Sequence, residues 1–160
     1  VGRGMNILGR WLMESGDYAA AEPMIRESLA LRRKLLGPEH VQVASSMTAL
    51  ASLLIHTGHF DEAAVLAAEA KVICANALSA DRWRTAHAAS AEGAALAGLG
   101  RYAAAEALLL DSYAKLGEDS GALPIVVADT TRRLASLYNA WGKLAEAARY
   151  QALLNDGDGG

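Results

Sequence analysis

The chain has 160 residues, 52% of them apolar, and its 15 Lys and Arg against 18 Asp and Glu leave a formal charge of −3. That balance excludes a general nucleic-acid binder, which needs a basic surface to displace phosphate counterions, and the apolar content excludes a disordered tail. The longest unbroken apolar run, residues 63–68, is far short of the roughly 20 residues of a membrane span, and a single cysteine, Cys74, excludes an internal disulfide and a cysteine-based zinc site.

Ala and Leu, the strongest apolar helix formers, dominate the composition, whereas β-branched and aromatic residues are scarce, so an all-α fold is expected. In chain order, a first helix A is expected over 3–15 and its helix B over 17–36. The linker Gly37-Pro38-Glu39-His40 leads to helices over 41–57 and 59–78. Ser79-Ala80-Asp81-Arg82 leads to helices over 83–99 and 101–117, and residues 118–124 lead to helices over 125–141 and 143–154. The four units, 1–40, 41–82, 83–124 and 125–154, form one repeat domain; the tail 155–160 has no apolar anchor and is expected to be mobile. The first helix is about a turn short and the chain opens on Val1, so a fragment of a longer polypeptide is expected. No secretory signal pattern is visible, and a cytoplasmic location is expected.

The units are tied by phase. Gly16, Gly58, Gly100 and Gly142 recur every 42 residues, each where a left-handed helix C-cap belongs. Gly9, Ala51, Gly93 and Ala135 share one phase, and Leu12, Leu54, Leu96 and Tyr138 another. Tyr18, Phe60, Tyr102 and Leu144 follow the turns; Ala21, Ala63, Ala105 and Ala147 come next; Ala44, Ala86 and Ala128 recur in register. A small residue lets two helices cross closely, and the Leu or Tyr three positions on fills the space beside the crossing. The residue after the turn is expected to wedge between the paired helices. Each hairpin cannot bury its stripe alone, so the expected architecture is a right-handed superhelical solenoid of about four helical hairpins sharing one continuous core.

The spacing small–Leu–Gly–aromatic–Ala resembles the tetratricopeptide repeat, whose usual period is about 34 residues. The longer unit, the Leu36-Gly37-Pro38-Glu39-His40 joint, Gly16-Asp17-Tyr18-Ala19-Ala20-Ala21-Glu22-Pro23 and Ser28-Leu29-Ala30-Leu31-Arg32 resemble the kinesin-light-chain type, across residues 3–154. A narrower likeness lies in Trp83-Arg84-Thr85-Ala86, Gly100-Arg101-Tyr102, Glu106-Ala107-Leu108-Leu109-Leu110, Ser112-Tyr113 and Leu137-Tyr138-Asn139-Ala140-Trp141-Gly142-Lys143. These resemble the C-terminal repeat region of bacterial eukaryotic-like serine/threonine kinases, which would put a kinase domain upstream. The chain itself has no Gly-rich phosphate loop, His-Arg-Asp loop or Asp-Phe-Gly.

What the resemblance implies is non-catalytic protein interaction, with a protein or peptide ligand in a concave groove lined by the exposed faces of the A helices. Projected onto this sequence, the groove rows are Arg3, Ser45, His87 and Asp129; Asn6, Thr48, Ser90 and Arg132; Arg10, Ser52, Ala94 and Ser136; and Met13, Ile55, Ala97 and Asn139. Hydroxyls and amides of Asn6, Thr48, Ser52, Ser90, Ser136 and Asn139 suit the backbone of an extended peptide, and Arg10 and Arg132 suit a carboxylate. The basic pair with Asn of carboxylate-clamp tetratricopeptide proteins is not present, which speaks against a C-terminal-carboxylate ligand.

The remaining chemical candidates have plainer readings. His56 and His59 flank Gly58 with Asp61 and Glu62 in the next turn; they read as turn and cap residues, and no metal site is assigned. Cys74 reads as a buried inert thiol, Trp11, Trp83 and Trp141 as packing at element ends, and Arg32, Arg33 and Lys34 as a basic run suited to a helix C-terminus. No clustered nucleophile and base, and no paired carboxylates, point to catalysis, so neither an enzyme activity nor a cofactor is expected. Nucleic-acid and membrane partners are not expected either. The alternative role is a structural segment whose end hairpins stack on another copy or on the parent chain, and a monomer or weak self-association is expected.

Overall fold

The computed structural model describes residues 15–77, 82–119 and 121–157. Among them the regular structure is α-helical throughout: α1 (Tyr18–Leu36), α2 (Val41–His56), α3 (Phe60–Asn76), α4 (Trp83–Gly98), α5 (Tyr102–Glu118), α6 (Pro124–Trp141) and α7 (Leu144–Gly157). The helices α2/α3, α4/α5 and α6/α7 are three successive hairpins, and α1 is the second helix of the hairpin before them. The expected first helix A, with Asn6, Arg10 and Trp11, lies outside the described residues. At the other end α7 continues to Gly157, past the expected boundary at 154.

The helix ends follow from local chemistry. Asp17 caps α1, its Oδ1 accepting the Ala20 N–H at 3.2 Å. His40 does the same for α2, its Nδ1 accepting the Gln42 N–H at 3.1 Å, and Pro124 starts α6 where its missing N–H costs nothing. The turn glycines have φ of +80° (Gly58), +74° (Gly100) and +79° (Gly142). Each closes a Schellman motif: the N–H of His59, Arg101 and Lys143 donates to the carbonyl of Leu54, Leu96 and Tyr138 at 2.8, 2.9 and 2.9 Å. The Leu/Tyr phase thus marks the carbonyl that the turn reaches back to.

Each helix packs on the next, and α2 packs on α4 and α4 on α6. Among the described residues the backbones of the second helices do not approach one another in this way, and side chains alone link them, so the first helices line the inner side of the solenoid. Gly93 shows why one phase demands small residues: a Cβ there would sit 2.9 Å from Leu109 Cγ and 3.3 Å from the Ala105 carbonyl of the paired helix.

Two packing expectations need correction. The aromatic after each of these turns reaches beyond its own hairpin and packs against the first helix of the next one. Tyr18 stacks on His56 (centroids 5.1 Å apart, planes at 7°), Phe60 lies under Gly98, and Tyr102 stacks on Trp141 at 5.7 Å. The core is also not one seam. Its largest cluster joins α1 to α4 around Ile25, Met47, Leu50 and Leu54; a second surrounds Leu109, Leu134 and Tyr138; a small third holds Ala86, Leu116 and Val126. The cause is α4, whose buried face is Ala, Ser and Gly apart from Leu96, too short in side chain to join the clusters.

On the outer face, Arg26 donates to Glu22 at 2.8 Å and to Glu62 at 2.9 Å, joining α1 to α3. The Arg32–Lys34 run does more than face solvent: Arg32 donates to the Gln42 carbonyl at 3.1 Å and to Ser46 Oγ at 2.9 Å, pinning α1 to α2.

Candidate functional site

The inner faces of α2, α4 and α6 enclose a cleft of about 1030 Å³. Helical spacing brings Ser45, Ser52 and Ile55 of α2 to it, with Arg84, His87 and Ala97 of α4 and Asp129, Arg132, Arg133 and Ser136 of α6. Trp83, Leu123 and Ile125 give one rim an apolar character, and Tyr18, Ile55 and Phe60 stand at the other.

Of the residues projected onto a groove, Thr48, Ser52, His87, Arg132 and Ser136 line this cleft, together with Ser45, Ile55, Ala94, Ala97 and Asp129 of the same rows. Thr48 is only 4% exposed, and its hydroxyl donates to the Ala44 carbonyl at 3.0 Å. Ser52 likewise donates to the Thr48 carbonyl at 3.0 Å, leaving its oxygen to accept. Arg132 is paired with Asp129 at 2.6 Å, one helical turn away. Ser90 is fully buried beneath the cleft, accepting from Thr130 at 3.0 Å and Arg133 at 2.9 Å. Asn139 is exposed outside the cleft lining, and Asn6 and Arg10 fall outside the described residues.

Arg133 is the central residue that the sequence did not disclose. It donates to Ser90 Oγ at 2.9 Å and to Ser52 Oγ at 2.8 Å, spanning three hairpins from α6 through α4 to α2. No carboxylate among the described residues lies within ion-pair distance of it, and burial pulls its guanidinium down to about 10. Arg84 donates to Ser45 Oγ at 2.9 Å, and its guanidinium lies 4.5 Å from the centre of the Trp83 ring. Desolvation, reinforced by Arg133 and Arg84, drives the His87 imidazole down to about 3. His56 is lowered by burial and by Arg133, so both imidazoles are neutral at pH 7.

The other candidates have structural partners. His56 is stacked on Tyr18, and His59 Nδ1 lies 3.0 Å from the Thr57 hydroxyl. Cys74 is buried, and burial raises its thiol. Trp141 lies between Tyr102 and the Lys143 ammonium, which sits 3.5 Å from its ring centre. None of the described helices is long and apolar enough to cross a membrane.

The architecture is that of an α-helical repeat solenoid whose inner cleft sets polar and basic side chains in a largely apolar lining, and comparisons with known proteins are consistent with it. Residues 2–71 match the family model of the tetratricopeptide repeat. Two solved structures of the nearly identical TPR-like repeats of a Podosopora anserina kinesin light chain superpose on the chain with TM-scores of 0.66 and 0.63 at 22% and 21% identity. They cover 97% of this chain, which in turn spans 73% and 74% of theirs. BtubC (BKLC) from P. vanneervenii superposes with a TM-score of 0.69 at 18% identity over 98% of this chain, and the chain spans 64% of it. No curated protein matches the chain. The chain therefore has the fold of kinesin-light-chain TPR-like repeats, and its residues 2–71 are similar to the tetratricopeptide repeat family.

Proposed function

We propose that the chain is a non-catalytic scaffold that holds an extended segment of a protein partner in its inner cleft. The observation that carries this reading is the cleft itself, about 1030 Å³ with polar side chains supplied in register by three successive first helices. Ser136 and Arg132 stand exposed at its mouth, where they meet a ligand backbone or carboxylate. The test is capture of partners from the native source with the whole chain and with Ser136→Trp and Ala140→Trp, which fill the cleft from exposed positions of its lining. Loss of the captured partners supports the reading; identical recovery with both variants removes the cleft from it. The likeness to kinase repeat regions adds that the scaffold serves a signalling polypeptide in the cytoplasm, and the reading frame upstream of Val1 decides that part.

A second reading rests on Leu144. It occupies the phase at which Tyr18, Phe60 and Tyr102 each pack against a following hairpin, and it is 67% exposed. A second copy docking there would give weak self-association. Sedimentation over a range of concentrations, with Leu144→Glu as control, tests it: a strictly monomeric chain removes this reading.

A further inference from the structure

Arg133 is provided for unevenly. A guanidinium carries five N–H donors, and here two of them reach neutral serine hydroxyls while no carboxylate comes within ion-pair distance among the described residues. Removing a charge from water without a counter-charge is costly, and the nearest acid does not offset it: Asp129 is engaged with Arg132 at 2.6 Å. Arg84 adds a second cation, since both guanidinium groups act on the same His87 ring. Three serines accept from these arginines, and two of them spend their own protons on backbone carbonyls, Ser45 on Val41 at 3.1 Å and Ser52 on Thr48 at 3.0 Å; all three are neutral, so none supplies a counter-charge. The middle of the cleft is therefore cationic and donor-rich, although the whole chain carries a charge of −3.

We propose that this level of the cleft, between Ser52, His87 and Arg133, is a subsite for an Asp or Glu side chain of the bound segment. The proposal rests on the scaffold reading above and names the chemistry its ligand must bring. A carboxylate entering here takes the unused N–H groups of Arg133 as charge-assisted hydrogen bonds and supplies the missing counter-charge. A side chain is favoured over a chain terminus because the lining continues on both sides of Arg133. On α6 it runs from Ile125 to Ala140 and on α4 from Trp83 to Gly98, each about 22 Å at 1.5 Å per residue, with Arg133 and Ser90 near the midpoints. A passing chain, not an end, fits that placement.

The experiment uses fluorescein-labelled nonapeptide libraries with amidated C-termini, randomised except for a central Glu, Gln or Lys, titrated against the whole chain by anisotropy. The Glu library binds about tenfold tighter than the Gln library, the Lys library binds weakest, and added salt narrows the gap. Arg133→Gln abolishes the preference for Glu, while Arg133→Lys keeps its sign at reduced size. Asp129→Asn, which removes the one acid at this level, strengthens the preference and decides the matter if Arg133→Gln does not fold. Equal binding of the Glu and Gln libraries, or a Glu preference that survives in Arg133→Gln, overturns the subsite and leaves the scaffold reading standing. A Gln library with free C-termini that matches the amidated Glu library overturns the choice of a side chain. No binding by any library overturns subsite and peptide groove together.

Discussion

Arg133 and Ser52 are 81 positions apart in the chain and 2.8 Å apart in the cleft. Between them lies Ser90, which accepts from the same guanidinium at 2.9 Å. In a stacked array, where packing is mainly between neighbouring hairpins, this side chain is a direct tie between the last hairpin and the one two units before it. It also bears on the electrostatics of the inner face: burial is the main cause that keeps His87 neutral, and the charges of Arg133 and Arg84 add to it.

The tie has a measurable size. Ser52→Ala strands one N–H of a half-buried guanidinium and is expected to cost about 1 kcal/mol. Arg133→Met removes the desolvated charge together with both hydrogen bonds, so its own effect is expected to lie within about 1 kcal/mol of zero. In the Arg133→Met background Ser52→Ala then costs almost nothing. Urea unfolding of the four species gives the coupling directly; additive effects would separate the two residues.

Two glycines on opposite sides of the packing make a matched pair. A Cβ at Gly98 would overlap the Phe60 ring, which is itself held between hairpins, so Gly98→Ala is expected to destabilise by about 1–3 kcal/mol. Gly117 lies near the end of α5 with open space where its Cβ would go, and Gly117→Ala is expected to stabilise by about 0.5–1 kcal/mol. Thermal melts of the two variants should move in opposite directions.

Most of the fold was legible because one period governs both the turns and the packing. Gly58, Gly100 and Gly142 take the same left-handed turn, and the residues 42 apart stand on equivalent faces, which is why Ser45, His87 and Asp129 all reach the cleft. Arg133 was not legible for the same reason. Its equivalents are Ala91, fully buried, and Ala49, half-buried, so its phase reads as core. Only the length of its side chain carries the charge from that position out to the cleft. His56 was obscured similarly, its equivalents being Gly98 and Ala140. The direction of the aromatic wedge was hidden too, since a position two residues past a turn can face either neighbouring hairpin and spacing alone does not choose.

The turns themselves predict a graded response. Gly100 has φ +74°, a region where an L side chain is strained even though nothing crowds the site. Gly100→Ala is therefore expected to cost about 1–2 kcal/mol through the backbone alone. Gly100→Asn is expected to recover part of that loss, because Asn tolerates the left-handed region better than Ala. Chemical denaturation of both variants checks the order, and equal losses would place the cost in side-chain contacts instead.

His87 makes stability depend on pH in a definite direction. Its imidazole is held at about 3 in the folded chain, chiefly by desolvation and further by Arg133 and Arg84, against an ordinary value of 6.5. Above 6.5 the ring is neutral in both states and has no effect on the balance. As pH falls below 6.5 the unfolded chain takes up a proton that the folded chain refuses, so stability declines until the folded ring also protonates near 3. The full loss is on the order of 5 kcal/mol. His87→Gln keeps a polar side chain of similar reach without a titrating ring, and should leave stability at pH 7.5 little changed while removing this part of the acid decline. Unfolding free energies measured in half-unit steps from pH 7.5 to 4 would show the curves of the two proteins separating below 6.5; curves that stay parallel would mean that the ring is solvated in the folded chain.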